Sequence, residues 1–180
     1  MRSSDSGLVR GTQGSPQTSI EQETLAAVAA TNEADLAASV MIDQELVAEM
    51  EQAGVRFTRA DLIFVTKDAT DQTIWLEKGN SGAGLKHILD GNSATHTSGH
   101  AQDFLDSFGV QRNDIPYFLY RVIKYGAVIR DNKRQVGRMI QFEKIYYYQG
   151  KKFLLAAIGS NGFVVSAYPV SKLKMEENNG

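Results

Sequence analysis

Between residues 136 and 168 the chain is punctuated like a β-meander. Three runs, residues 136–148, 152–158 and 163–168, are rich in Ile, Val, Phe and Tyr. Tight turns at Gln149-Gly150 and at Ser160-Asn161-Gly162 separate them. β-branched and aromatic side chains fit a pleated, half-buried surface. Turns this short bring consecutive strands back antiparallel. The spacing therefore predicts a three-stranded antiparallel meander, within which Tyr146, Tyr147 and Tyr148 alternate between core and surface.

What precedes the meander is mostly helical. Residues 33–53 are rich in Ala, Glu, Gln and Leu without a proline, and Leu36, Val40, Val47 and Met50 form a thin apolar stripe at helical spacing. A helix packed on the domain is expected there, with Gly54 as its stop. A helical turn and a short buried strand over residues 62–65 follow, and residues 73–76 read as its hairpin partner. Residues 85–89 form a helical turn and residues 90–99 a polar loop. Two helices are expected over residues 100–108, ended by Gly109, and residues 112–125, ended by Gly126. For the second, Asp114 is a candidate N-cap, and Pro116 sits in the first turn, where proline is tolerated. Helices first and strands last make an α+β fold. The basic cluster Arg130, Lys133, Arg134 and Arg138 reads as a solvated loop, able to hold phosphates.

Charge divides the 180 residues. Residues 1–54 carry two basic and nine acidic side chains, and residues 55–180 carry 17 basic and 12 acidic ones. An acidic leader, residues 1–54, is thus expected before a mildly basic domain, residues 55–172, with a frayed charged tail at 173–180. Its first part, residues 1–18, is Ser-, Gly-, Thr- and Gln-rich, and disorder is expected there. A basic domain suits a polyanionic partner. With no cysteine, there is neither a disulfide, nor a thiolate metal site, nor a thiol nucleophile. No run of apolar residues is long enough to span a membrane, and the N-terminus lacks the apolar core of a signal peptide.

All three histidines, His87, His96 and His100, fall within 14 residues. They follow Glu77-Lys-Gly-Asn-Ser-Gly-Ala-Gly84, where three glycines allow tight turns and close backbone approach. Two imidazoles can serve as acid and base near neutral pH. RNA carries its own nucleophile, the 2′-hydroxyl, so a base for that proton and an acid for the 5′-oxygen complete a cleavage reaction. Other readings stay open at this level. His87 suits a half-buried structural role, His96 a plain loop position and His100 a helix start. Three histidines could also hold a metal, although no His-Glu-x-x-His spacing is present.

Three motifs in order narrow these readings: Trp75-Leu-Glu-Lys-Gly-Asn-x-x-Ala-Gly-Leu-x-His87-Ile, then His100-x-x-Asp-Phe, then Gly159-Ser-Asn-Gly-Phe-Val-Val-Ser-Ala-Tyr168-Pro169. Over residues 55–170 the chain resembles the bacterial EndoU-type endoribonucleases. These occur as C-terminal toxin domains of contact-dependent growth inhibition and related polymorphic toxin systems. The resemblance implies an EndoU-like fold, with a helical lobe carrying the histidines against the meander. It implies RNA cleavage to 2′,3′-cyclic phosphate ends, with tRNA as the expected target and no cofactor or metal. His87 and His100 are the implied catalytic pair, Ser166 a hydroxyl toward the phosphate and Tyr168 a substrate-binding residue. His96 is not part of that pair. Lys133, Lys144, Lys151 and Lys152 are all candidates for the family's lysine, and none sits in its motif. The resemblance further implies a cognate immunity protein. It also implies delivery from a longer secreted parent and action in the target-cell cytoplasm. A monomer is expected. The rival readings are a metal-dependent nuclease or hydrolase using the histidine cluster, and a non-enzymatic binding or adaptor domain.

Overall fold

The computed structural model describes residues 39–150 and 152–171, with only the backbone at 152 and 153. The expectations for the leader up to residue 38 and for the tail after 171 lie outside the described residues. Those described belong to one compact unit.

Helix α1, Gln44–Gln52, starts where the Asp43 carboxylate accepts the backbone N–H groups of Glu45 and Leu46. It buries Leu46, Val47 and Met50 against Leu62, Val65 and Trp75. The expected stripe is therefore real from Val47 onward, while Val40 is exposed. Strands β1, Leu62–Lys67, and β2, Thr73–Glu77, form an antiparallel hairpin. Helix α2 is Leu85–Asp90. The expected polar loop contains a miniature hairpin of β3, Gly91–Asn92, and β4, Thr97–Ser98. Helix α3, Ala101–Phe108, ends on Gly109 in the left-handed conformation, and α4 spans Ile115–Tyr125. Asp114 precedes α4 without a side-chain cap bond, a correction to the expected cap, since a short 3-10 turn over Arg112–Asp114 leads into the helix instead.

The meander has four strands rather than three. Strands β5, Ala127–Val136, β6, Met139–Tyr148, β7, Lys152–Gly159, and β8, Val164–Val170, pair antiparallel in sequence order. The basic stretch expected as a loop is largely strand β5. Arg134 pairs with Gln141 and Asp131 with Lys144 in register with β6, and Gly137 at φ +61° allows the turn between them. As the edge of the sheet, β5 carries charged side chains where a central strand would carry apolar ones, a common guard against edge pairing.

One face of the sheet meets the helices. Tyr146, Leu154, Ala156, Ile158, Val164 and Ala167 join Phe64, Phe104, Leu119 and Ile123 in the main core. Tyr147 is on the other face and partly exposed, so the tyrosine run alternates as expected. The core face also holds Lys144, fully buried. Its ammonium donates to Asp68 at 2.7 Å and Thr70 at 2.9 Å and lies 3.6 Å from Asp131, while the Tyr146 hydroxyl donates to Asp68 at 2.8 Å. This cluster ties the β1–β2 turn to the middle of the sheet.

Trp75 ties down the opposite edge. Its backbone N–H donates to Gly162 O and its indole N–H to Asn161 O, and its ring packs on Phe163 at 4.8 Å. The turn that feeds β8 is thereby fixed on β2.

Candidate active site

The Gly-rich stretch is a folded loop whose closure positions His87. Asn80 N–H bonds to Ala83 O, and the Asn80 side chain accepts from Gly82 N–H. Gly84 has φ +86°, and a Cβ there would sit 2.9 Å from Gly79 Cα, so only glycine lets the two strands of the loop pass. Gly84 N–H then donates to Val165 O on β8 at 3.0 Å. That bond fixes the start of α2, and so His87, beside the strand that carries Ser166 and Tyr168.

His87 Nδ1 lies 2.8 Å from Ser81 O. A carbonyl oxygen can only accept, so Nδ1 carries the hydrogen, and in the neutral ring the lone pair is on Nε2. His100 sits at the N-terminal end of α3, and its backbone N–H donates to Ile88 O at 2.7 Å. The residue after one histidine thus anchors the backbone of the other. Gly99 is required for this approach, because a Cβ there would collide with the Leu89 carbonyl.

The His100 ring has two further partners. Its Nδ1 is 2.7 Å from the Asp103 carboxylate, one helical turn on, and its face stacks on Tyr168 at 4.8 Å between ring centres. Both imidazoles are therefore held through Nδ1, one by a neutral carbonyl and one by a carboxylate. Both keep Nε2 free of hydrogen bonds among the described residues.

Ser166 and Tyr168 are two apart on β8, so they share a face. A bulge at Val165, between the pairs Ile158–Val164 and Ala157–Ser166, resets the alternation. It turns Val164 and Ala167 to the core and leaves Ser166 and Tyr168 half-buried on the opposite face. Burial pushes the Tyr168 phenol above its ordinary range, and the Glu143 carboxylate adds to this while Arg134 opposes it. At neutral pH the phenol is an un-ionised hydroxyl, able to donate.

His87 stands on α2, His100 at the start of α3 and Tyr168 on β8, three elements that contact one another, with His100 stacked on Tyr168 and Ser166 two positions before it on the same strand. None of the three elements carries His96. That residue caps a short turn at φ +55°, exposed, in the miniature hairpin between the two others. Among the described residues no group of three His, Asp or Glu side chains is placed to hold a metal. Of the lysines, Lys144 points to the core face with its charge spent on Asp68 and Asp131, which removes it from any role at this site. Lys133 is exposed on β5. Lys151 and the side chain of Lys152 lie outside the described residues.

Neither partner of the imidazoles is given a role by the sequence, although Asp103 stands in the His100-x-x-Asp-Phe motif. Asp103 has a signal, since a His and an Asp three apart on a helix face each other. Ser81 acts through its backbone, which no side-chain pattern reveals. Comparison of the chain with models of protein families and with curated proteins finds no match to either.

Proposed function

We propose that the protein is a metal-independent endoribonuclease of the EndoU type, in which His87 and His100 cleave RNA by transesterification. The observation that carries the reading is the pair of Nδ1-anchored imidazoles, joined through the His100 N–H to Ile88 O bond and bordered by Tyr168. An unoccupied Nε2 on each ring, held by the bond behind it, suits proton transfer in two directions.

The two anchors differ, and this divides the roles. His87, neutral with Nδ1–H on a carbonyl, takes the 2′-hydroxyl proton through Nε2. The 2′-oxygen attacks phosphorus as the bond to the 5′-oxygen breaks. His100 carries its proton on Nε2, with the Asp103 carboxylate facing Nδ1, and gives it to the leaving 5′-oxygen. The products are a 2′,3′-cyclic phosphate and a free 5′-hydroxyl. Ser166 and the Tyr168 phenol donate hydrogen bonds to the phosphate and to the nucleotide respectively.

The resemblance to contact-dependent inhibition toxins extends this reading to a setting. There the domain travels on a longer secreted parent, acts on tRNA in the target-cell cytoplasm and is neutralised by an immunity protein. Rapid RNA degradation by the purified chain, lost in His87→Ala and in His100→Ala with unchanged circular dichroism, is the expected result. His96→Ala retains activity. Cleavage that survives both substitutions overturns the assignment, and an adaptor domain remains if the purified chain cleaves nothing.

A further inference from the structure

We infer that the groove beside the Gly-rich loop is a nucleobase subsite, which rests on the nuclease reading above and adds to it where one flanking base is gripped. The groove encloses about 650 Å³. Gly82 and Ala83 line it from the Gly-rich loop, Met139, Ile140 and Gln141 from the start of β6, and Gly159 and Val165 from β7 and β8.

Two features of that lining point to a flat aromatic ligand with a polar edge. Gly159 pairs directly with Gln141 across the sheet, and the Asn161 side-chain oxygen stands close to where a Cβ on Gly159 would be. The walls are aliphatic, and Met139 stands 63% exposed with Ile140 41% exposed at the rim. A thioether and a methyl-bearing wall suit the face of an aromatic ring. Gln141, half-buried on the same face as Gly159, makes no side-chain hydrogen bond among the described residues. Its amide offers donors and an acceptor side by side, the pattern that reads a base edge.

Continuity with the histidines identifies the occupant as part of the RNA. Gly82 follows Ser81, whose carbonyl holds His87, and Val165 precedes Ser166 and accepts from Gly84 N–H. A strand with its scissile phosphate at His87 and His100 therefore has a neighbouring nucleotide at the mouth of this groove. Arg138 lies on its rim and can meet a flanking phosphate. A base bound between Ala83 and Met139, with its edge on Gln141, makes the cleavage sequence-dependent.

The test uses the full chain labelled with ¹³C-methyl methionine, with Met139 assigned through Met139→Leu. Each of the four nucleoside 3′-monophosphates is titrated, with inorganic phosphate and poly-glutamate as controls. A ring-current shift of Met139 by nucleotides alone is expected, and Gln141→Ala should change the ratio of their dissociation constants by about tenfold. The same variant should redistribute cut positions on a mixed RNA pool by a similar factor, and Met139→Glu should weaken nucleotide binding. A Met139 signal unmoved by nucleotides, or moved equally by phosphate, overturns the subsite. A shift with poly-glutamate as large as with nucleotides overturns it in favour of protein docking. Met139 shifts without any RNA cleavage keep the groove and reject the nuclease. Cleavage with a silent Met139 and an unchanged cut pattern in Gln141→Ala does the reverse.

Discussion

Lys144→Met is the substitution whose cost follows most directly from the fold. The lysine is fully buried, its partner Asp68 has no exposed side-chain surface, and the two are 2.7 Å apart. Removing the ammonium keeps the volume and leaves a buried carboxylate held only by Thr70, Tyr146 and backbone N–H groups. Breaking one half of a buried pair costs about 3–5 kcal/mol, a drop in Tm on the order of 10 °C for a domain of this size. The pH dependence has a definite sign. Burial raises the Asp68 pKa, but the hydrogen bonds from Lys144, Thr70 and Tyr146 outweigh it and hold the group below its ordinary value. A depressed carboxylate contributes stability above its unfolded pKa, about 3.9, and loses it as pH falls through the lower folded value. Without Lys144 the burial contribution dominates, so the Asp68 pKa rises and the variant's deficit shrinks on acidification. Urea unfolding of both chains at pH 7 and near pH 4 measures this. Equal stability at pH 7, or a deficit that widens on acidification, refutes the account of the cluster.

Other consequences concern the site. His100→Ala should lose about 10²- to 10⁴-fold in cleavage rate. Most of that loss should return on a substrate with sulfur in place of the leaving 5′-oxygen, because a thiolate departs without a proton; a substrate-independent loss reassigns the acid. Tyr168→Phe keeps the ring on His100 and drops the hydroxyl, so kcat/KM should fall roughly tenfold, as for one lost hydrogen bond, whereas Tyr168→Ala should fall further; single-turnover cleavage separates the two. Gly84→Ala forces a side chain onto φ +86° against Gly79, and should cost about 1–3 kcal/mol and lower cleavage along with thermal stability.

Much of the scaffold is legible in the sequence because its periodicities are local. The β1–β2 hairpin, α2, α3 and the last three strands follow from apolar spacing and from turn residues such as Gly109 and Gly150. Strand β5 is the exception. Its Arg-Asp-Asn-Lys-Arg-Gln run has no buried face to mark it, and it becomes a strand only by pairing with β6. Lys144 shows the same limit from the other side. Its position between Phe142 and Tyr146 puts it on the core face, yet the partner that makes this tolerable, Asp68, lies 76 residues earlier.

The site divides in a similar way. Histidines beside a glycine loop, with a hydroxyl and a phenol two apart on a strand, stand out by residue type and motif order. What differentiates the histidines does not, because Ser81 contributes a carbonyl. The bulge at Val165 that sets the faces of β8 is likewise a property of pairing, not of composition. The basic cluster illustrates both points, since its residues were visible and their strand was not.

The most direct test of the two-histidine mechanism is to incubate the purified protein with total RNA in EDTA and map the chemistry of the cut ends. The account predicts 2′,3′-cyclic phosphate and 5′-hydroxyl ends at an undiminished rate. Cleavage that stops in EDTA and returns with Zn²⁺ or Mn²⁺, or ends bearing a 5′-phosphate, contradicts it.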